Sequence, residues 1–241
     1  FVSLTAALYL QAEKTTNSLI HTLSQKEKSE ILSIPLDYPF MKNEEKLALI
    51  ECFKQHAGVK EILLSDVSYM QGMSDNGLTT EKGNENSWVD ISVMAVPANF
   101  FSFMNIPIEQ GRLPQTEKDI VVDNVWQQIQ KKDVIGMNLY SGNTDYTICG
   151  ISAPFQADVY NRSSGYAFLP YDPSVYIGHC YIKSHPGQQK EVARWIEKVY
   201  REMLPENITY QAKTFLDDIY VSQALECNPK DIILFLSLIH I

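Results

Sequence analysis

Cysteine is sparse and scattered in this chain. Cys52, Cys149, Cys180 and Cys227 form no CxxC pair, and structural zinc sites are usually built on such close pairs. An even number leaves one or two disulfides open in an oxidising compartment. The plainer reading makes each thiol a small buried apolar group. Basic clusters are missing too. Lys and Arg total 20 against 29 Asp and Glu, a net charge of −9, and the densest basic spot, Lys26 and Lys28, is diluted by Glu27 and Glu30. A nucleic-acid surface needs a basic face, so no nucleic-acid partner is expected. No apolar run reaches the about 20 residues that span a bilayer.

Signatures of catalysis are equally scarce. HExxH, GxGxxG and the P-loop are absent, and Ser163-Ser164-Gly165 is not GxSxG. Of the five histidines (His21, His56, His179, His185 and His240), no two stand four apart on an expected helix. His179 and Cys180 with His185 come nearest to a metal cluster, but strand alternation sends His179 and Cys180 to opposite faces. Asp217 and Asp218 are adjacent carboxylates. On a helix such neighbours diverge by about 100°, so a solvated face is expected for them. The sequons at Asn161 and Asn207 matter only in a eukaryotic secretory context. No catalytic, metal or cofactor site is expected.

What the chain does have is 241 residues, 45% of them apolar, enough for one large domain or two small ones. It begins at Phe1, which reads as a piece of a longer or processed protein. Residues 1–12 carry no charge, and residues 232–241 carry none at neutral pH. Each run is a truncated membrane helix or an ordinary buried element. Two such ends bracketing a polar middle favour the first, and Pro229 and Lys230 ahead of the last run resemble an approach to a membrane.

Between the ends, residues 11–30 read as a modestly amphipathic helix or stalk, and residues 30–40 as a strand with edge prolines. Asn43 is an expected N-cap for a helix that Gly58 stops. Residues 59–70 return as a strand, completing a β-α-β unit. Residues 71–87 are a polar loop or arm, and residues 88–96 a strand. Residues 99–104 form a short aromatic helix, and residues 107–114 a turn-rich link. A strand (residues 119–123), a helix (124–129) and a hairpin turning at Ser141-Gly142-Asn143 follow. After strands at 165–170 and 178–183, the helix over 188–204 carries Val192, Ile196, Val199 and Met203 on one face. A strand at 207–212 closes a second β-α-β unit, followed by a helix over 214–224. The fold class is therefore α+β: two β-α-β units forming a ferredoxin-like, porter-type subdomain, with an inserted β-rich subdomain. The expected partition is a membrane-helix stub and stalk at 1–29 and the porter-like unit at 30–98 and 170–224. The insert spans 99–169, and the approach to the next membrane helix 225–241.

The stretch VPANFFSFMNIPIEQGR, residues 96–112, resembles the V…YF…GIPLLxGRxF segment in the periplasmic core domain of ABC-transporter permeases of the MacB/FtsX type. The order continues with DIVVD at 119–123, the Ile135-Gly136 turn, YTICGI at 146–151 and AFLP at 167–170. Asn105 departs from the pattern, standing where the family commonly has Gly. Phe100, Phe101, Pro107, Gly111, Arg112, Gly136 and Gly150 are then structural motif residues. Gly111 is expected to supply a positive φ or a close approach, and the phenylalanines to anchor the turn in the core.

The resemblance implies a non-enzymatic domain outside the cytoplasm at the inner membrane. It would pass movement, driven by a cytoplasmic ABC ATPase subunit or domain, to an exported substrate or a partner such as a periplasmic adaptor. Permeases of this kind pair as homodimers. The arm at 71–87 and the inserted subdomain are the candidate contact surfaces. Two alternatives stand beside it: the sensor domain of a membrane receptor, and a periplasmic hydrolase using His179, His185 and Asp217.

Overall fold

The structure, a computed structural model, describes residues 18–70, 77–157, 164–205, 208, 210 and 212–226. Both apolar ends, residues 71–76 of the polar arm and half of the strand expected at 207–212 lie outside these residues; the described positions 208, 210 and 212 are not strand, and the pairing falls at Lys213–Thr214. In chain order the described elements begin with α1 (Gln25–Glu30), β1 (Leu32–Pro35), α2 (Asn43–Lys54), β2 (Val59–Ser65), β3 (Leu78–Thr79), β4 (Trp88–Val89) and β5 (Ser92–Val96). Next come α3 (Phe100–Phe103), β6 (Ile108–Gly111), β7 (Asp119–Asp123), α4 (Asn124–Gln130), β8 (Asn138–Ser141) and β9 (Thr144–Ser152). The last are β10 (Tyr166–Pro170), β11 (His179–Ser184), α5 (Gln189–Met203), β12 (Lys213–Thr214) and α6 (Phe215–Glu226).

The fold is α+β, built on two sheets. The first has the order β12-β1-β11-β2, with every neighbouring pair antiparallel. Counted in chain order its strands run 4-1-3-2, so each β-α-β unit straddles a strand of the other. Alternation divides its residues. Leu32, Ile34, Ile62, Leu64, Cys180 and Ile182 face one side, where Leu49, Ile50 and Phe53 of α2 and Val192, Ile196 and Val199 of α5 cover them. The buried positions of α5 recur at three and four, the spacing that keeps one helix face against a sheet. Leu63 and Tyr181 face the other side, towards the second sheet.

The second sheet runs β4-β3-β8-β9-β7-β10-β5, with β6 also on β9. Parallel pairs β7–β9 and β5–β10 alternate with antiparallel ones. Val121, Phe168 and Met94 point into the central core shared with the first sheet. Ile120, Val122 and Ala167 point outward, beneath Trp126 of α4. The two-residue loop at Gly142 and Asn143 joins β8 to β9, with Gly142 at φ +56°.

Four local expectations need correction. Residues 11–30 are not one helix across their described part. The chain turns at residues 19–23, where Ile20 stands at φ +45°, and α1 restarts on a Ser24–Glu27 capping box. The expected strand at 88–96 breaks at Asp90: β4 pairs with β3, and β5 pairs with β10. Residues 92–96, grouped by sequence with the porter-like unit, therefore hydrogen-bond into the second sheet. The expected link at 107–114 contains β6, paired with β9. Asn43 is the first residue of α2 rather than its cap; its amide donates to the carbonyls of Pro173 and Ser174 at 3.0 and 2.8 Å.

Candidate functional site

The segment from Val96 to Arg112 leaves the second sheet, crosses the interface between sheets and returns to it. Its helical turn exists because Phe100, Phe101 and Phe103 are all buried. Phe100 meets Tyr69 edge-on at 5.2 Å between ring centroids and Phe168 at 5.5 Å; Phe101 meets Phe168 at 5.3 Å. Phe155 joins Phe100, Phe168 and Tyr166. These distances lie in the range where aromatic pairs add to the area they bury. The cluster joins the two sheets, since Tyr69 also stacks on Tyr181 of β11 at 5.5 Å. Asn99 extends the joint, its amide donating to the Ile62 carbonyl of β2 at 2.9 Å.

The departure at Asn105 has a local cause. Its φ is +54°, the left-handed region that Gly and Asn enter at least cost. Asn also brings an amide that donates to Glu27 of α1 at 3.0 Å. Pro107, exposed, accepts from Ala153 N–H at 2.9 Å and starts the pairing of β6 with β9.

That pairing ends on a glycine crossing. Gly111 stands opposite Gly150. A Cβ on Gly111, at φ +75°, would sit 2.3 Å from the Cys149 carbonyl oxygen, and one on Gly150 would sit 2.4 Å from the Arg112 carbonyl oxygen. Neither position admits a side chain. The approach allows Arg112 N–H to donate to Cys149 O at 3.0 Å. It also aims the guanidinium at Asp119 in a two-pronged pair of 2.8 and 3.0 Å. Asp119 further accepts from the N–H groups of Gln115 and Thr116 at 2.9 and 3.1 Å. The Arg112 guanidinium, with these N–H groups, holds its carboxyl down at about 2. Gly136, at φ +82° with open space around it, donates its N–H to Ile148 O at 2.8 Å and turns the chain into β8.

Beside the crossing lies a cleft of about 680 Å³, within the size range of small-molecule sites. Phe101 and Phe168 line it together with Tyr146, Tyr171, Lys118 and Asp172. It offers apolar contact and a few polar groups at its lining.

The three residues named for a hydrolase do not converge. Asp217 accepts from Thr214 N–H and Oγ at 2.7 and 2.8 Å, capping α6. His185 is exposed in the turn after β11. His179 is buried beside Ser33 at 2.7 Å, and the third member is Asp218. Asp218 is half-buried rather than solvated, correcting the reading of the acidic pair, because this face of α6 lies under β1. Ser33 Oγ lies within hydrogen-bond distance of both, bridging the Asp218 carboxyl and His179 Nε2. Burial pushes the His179 imidazole down to about 3 and keeps it neutral. The trio ties α6 to the first sheet.

Among the described residues no three His, Cys, Asp or Glu side chains gather as metal ligands. Cys149 and Cys180 are buried thiols and Cys52 a half-buried one. No helix among the described residues is long and apolar enough to cross a membrane.

No protein-family profile and no curated protein sequence matches the chain. Solved structures do. The periplasmic region of MacB from Actinobacillus actinomycetemcomitans superposes with a TM-score of 0.53 at 12% identity, over 86% of this chain and 99% of that one. The extracellular domain of the noncanonic ABC-type transporter YknZ from Gram-positive bacteria gives 0.51 at 12% identity, over 76% and 98%. A domain of a protein named as a permease from Porphyromonas gingivalis gives 0.50 at 13% identity, over 78% and 93%. At these identities the likeness is one of fold, and the chain has the fold of the MacB periplasmic region.

Proposed function

We propose that this chain is the extracytoplasmic domain of an ABC-transporter permease, and that it passes movement generated by ATP hydrolysis in the cytoplasm to a substrate or partner outside the membrane. The observation that carries the reading is the coincidence of two independent lines. An ordered motif set from Val96 to Ile151 suggested this family. The fold those residues build matches nearly the whole of a MacB periplasmic region. On this reading the domain works as one of a pair.

The joints at the two described ends support a mechanical role. At the first, Ile20 N–H donates to Gln156 O at 2.8 Å and Thr22 Oγ to Met104 O at 2.6 Å. The buried Lys28 donates to Leu19 O at 2.6 Å. With Leu19, Ile20 and Leu23 in the central core, this turn is held to the half that carries the glycine crossing. At the other end, α6 is held through Asp218 to Ser33 of the first sheet, and Ser33 in turn meets His179. α1 and α6 pack together. A displacement of the two chain ends relative to one another would therefore reach both sheets. Firm packing of this kind transmits displacement because cores resist compression.

The test is to isolate the full-length protein from its membrane by an affinity tag and assay it for ATP hydrolysis. The reading expects an ABC ATPase on the same polypeptide or in stoichiometric association, with hydrolysis abolished by a substitution in that ATPase's P-loop lysine. A preparation with a kinase or cyclase domain and no ABC ATPase would establish the sensor alternative in its place.

A further inference from the structure

One end of the first sheet exposes apolar side chains on a framework too well fixed for an idle loop. Phe40 is 51% exposed, Val67 47%, Val175 77% and Tyr176 40%. They come from three loops, and hydrogen bonds join those loops. Leu36 N–H donates to Gly178 O at 2.8 Å, and Gly178 N–H to Ser65 O at 3.0 Å. Tyr176 OH donates to Asp37 at 2.5 Å, and Tyr171 OH to the Tyr176 carbonyl. The ring of Phe40 stacks on Tyr38 at 5.4 Å.

Lys46 is the telling residue. It is 2% exposed, yet its ammonium donates to Ile177 O at 2.7 Å and lies 4.5 Å from the centre of the Tyr176 ring. Burying an ammonium is costly unless its interactions compensate. Here it fixes a loop whose outward side chains are apolar. Rigid aromatic and aliphatic anchors held in advance are what a binding surface uses to limit the entropy lost on association.

The rim selects the partner. Asp37 and Asp172 are exposed and Asp66 is half-buried; Lys42 is the exposed base among them. An anionic lipid surface attracts basic rims and is repelled by this one. We infer that this end of the domain docks a partner protein through a segment with apolar side chains flanked by lysine or arginine. The surface carries this inference whether or not an ABC ATPase drives the protein, so failure of the ATPase assay would leave it standing.

The test places the photocrosslinker p-benzoylphenylalanine at Val175 of the full-length chain in its own cells. A second site, Lys198 on the exposed face of α5, serves as control. The expected result is an adduct at Val175, absent at Lys198, whose crosslinked peptide carries an apolar residue next to lysine or arginine. Asp37→Lys with Asp172→Lys should lower its yield about tenfold or more, through like-charge repulsion. Phe40→Ala should lower it with the rim charges untouched, and thermal melting should show both variants folded. An adduct to lipid, to a second copy of this chain or to a peptide without basic residues would overturn the inference. So would an adduct insensitive to charge reversal, or no adduct above the Lys198 control.

Discussion

Replacing Gly111 by alanine should damage the glycine crossing far more than the same change at Gly136. Both residues have positive φ, +75° and +82°, so both variants carry the cost of an L side chain in left-handed backbone, about 1–2 kcal/mol. They differ in space. At Gly136 nothing lies within 4 Å of the new Cβ; at Gly111 it falls 2.3 Å from Cys149 O and 2.9 Å from Gly150 Cα. Relief requires β6 and β9 to part, which breaks the Arg112–Cys149 backbone bond and turns Arg112 from Asp119. Overpacking costs about 1–3 kcal/mol, and a lost hydrogen bond about 0.5–1.5 kcal/mol. The two variants should then differ by about 3 kcal/mol, a gap of about 6–12 °C in melting temperature for a domain of this size. Thermal melting followed by circular dichroism measures it. Melting temperatures within about 2 °C of each other would refute the steric account, leaving backbone conformation as the glycines' whole contribution.

Four further outcomes follow from the same geometry. Asn105→Gly should be nearly silent in urea unfolding, within about 0.5 kcal/mol. Asn105→Val should cost about 2 kcal/mol, since a β-branched residue resists positive φ. Asp119 has a folded pKa depressed to about 2. Its stabilisation is present above the unfolded carboxyl value and is lost as pH falls from about 4 towards 2; Asp119→Asn should flatten stability across that window. Lys28 is the opposite case, a base lowered to about 8 by burial. The unfolded chain holds more protons between about 8 and 10.4, so wild-type stability should rise with pH there, and Lys28→Met should remove that rise. Asp218→Ala takes away the carboxyl that Ser33 meets. It should cost about 1–3 kcal/mol and speed hydrogen exchange in α6 before exchange in α5.

Legibility in the sequence followed the range of the interactions. The segment from Val96 to Ile151 was readable because its decisive features are local. Three phenylalanines within four residues demand burial, Gly111 and Gly142 mark backbone only glycine adopts easily, and Ile120-Val121-Val122 is a β-branched run suited to a strand. The helix α5 declared itself by its three-and-four spacing. What stayed hidden depends on distant partners. Nothing local in Asp217-Asp218 says that β1 lies over one of them. The strand β6 exists because Gly150, far along the chain, leaves room for it. The break between β4 and β5 comes from pairing with different strands, which a run of apolar residues does not reveal. One miss was local: Ser24-Gln25-Lys26-Glu27 is a capping-box signature that marks the restart of α1. For the site, the motif residues could be named in advance, and the structure shows what each touches. The apolar end around Val175 carried no signal, because three loops separated in sequence compose it.

The central claim is that movement driven by ATP reaches this domain. Spin labels at Lys132, exposed after α4, in the purified full-length protein would report the distance between the two copies of the domain that the proposal pairs, by pulsed electron resonance, without nucleotide and with ATP trapped by vanadate. The account predicts two distinct distance distributions, with the change abolished when the ATPase is inactivated. Identical distributions in both states, in a preparation shown to hydrolyse ATP, would contradict it.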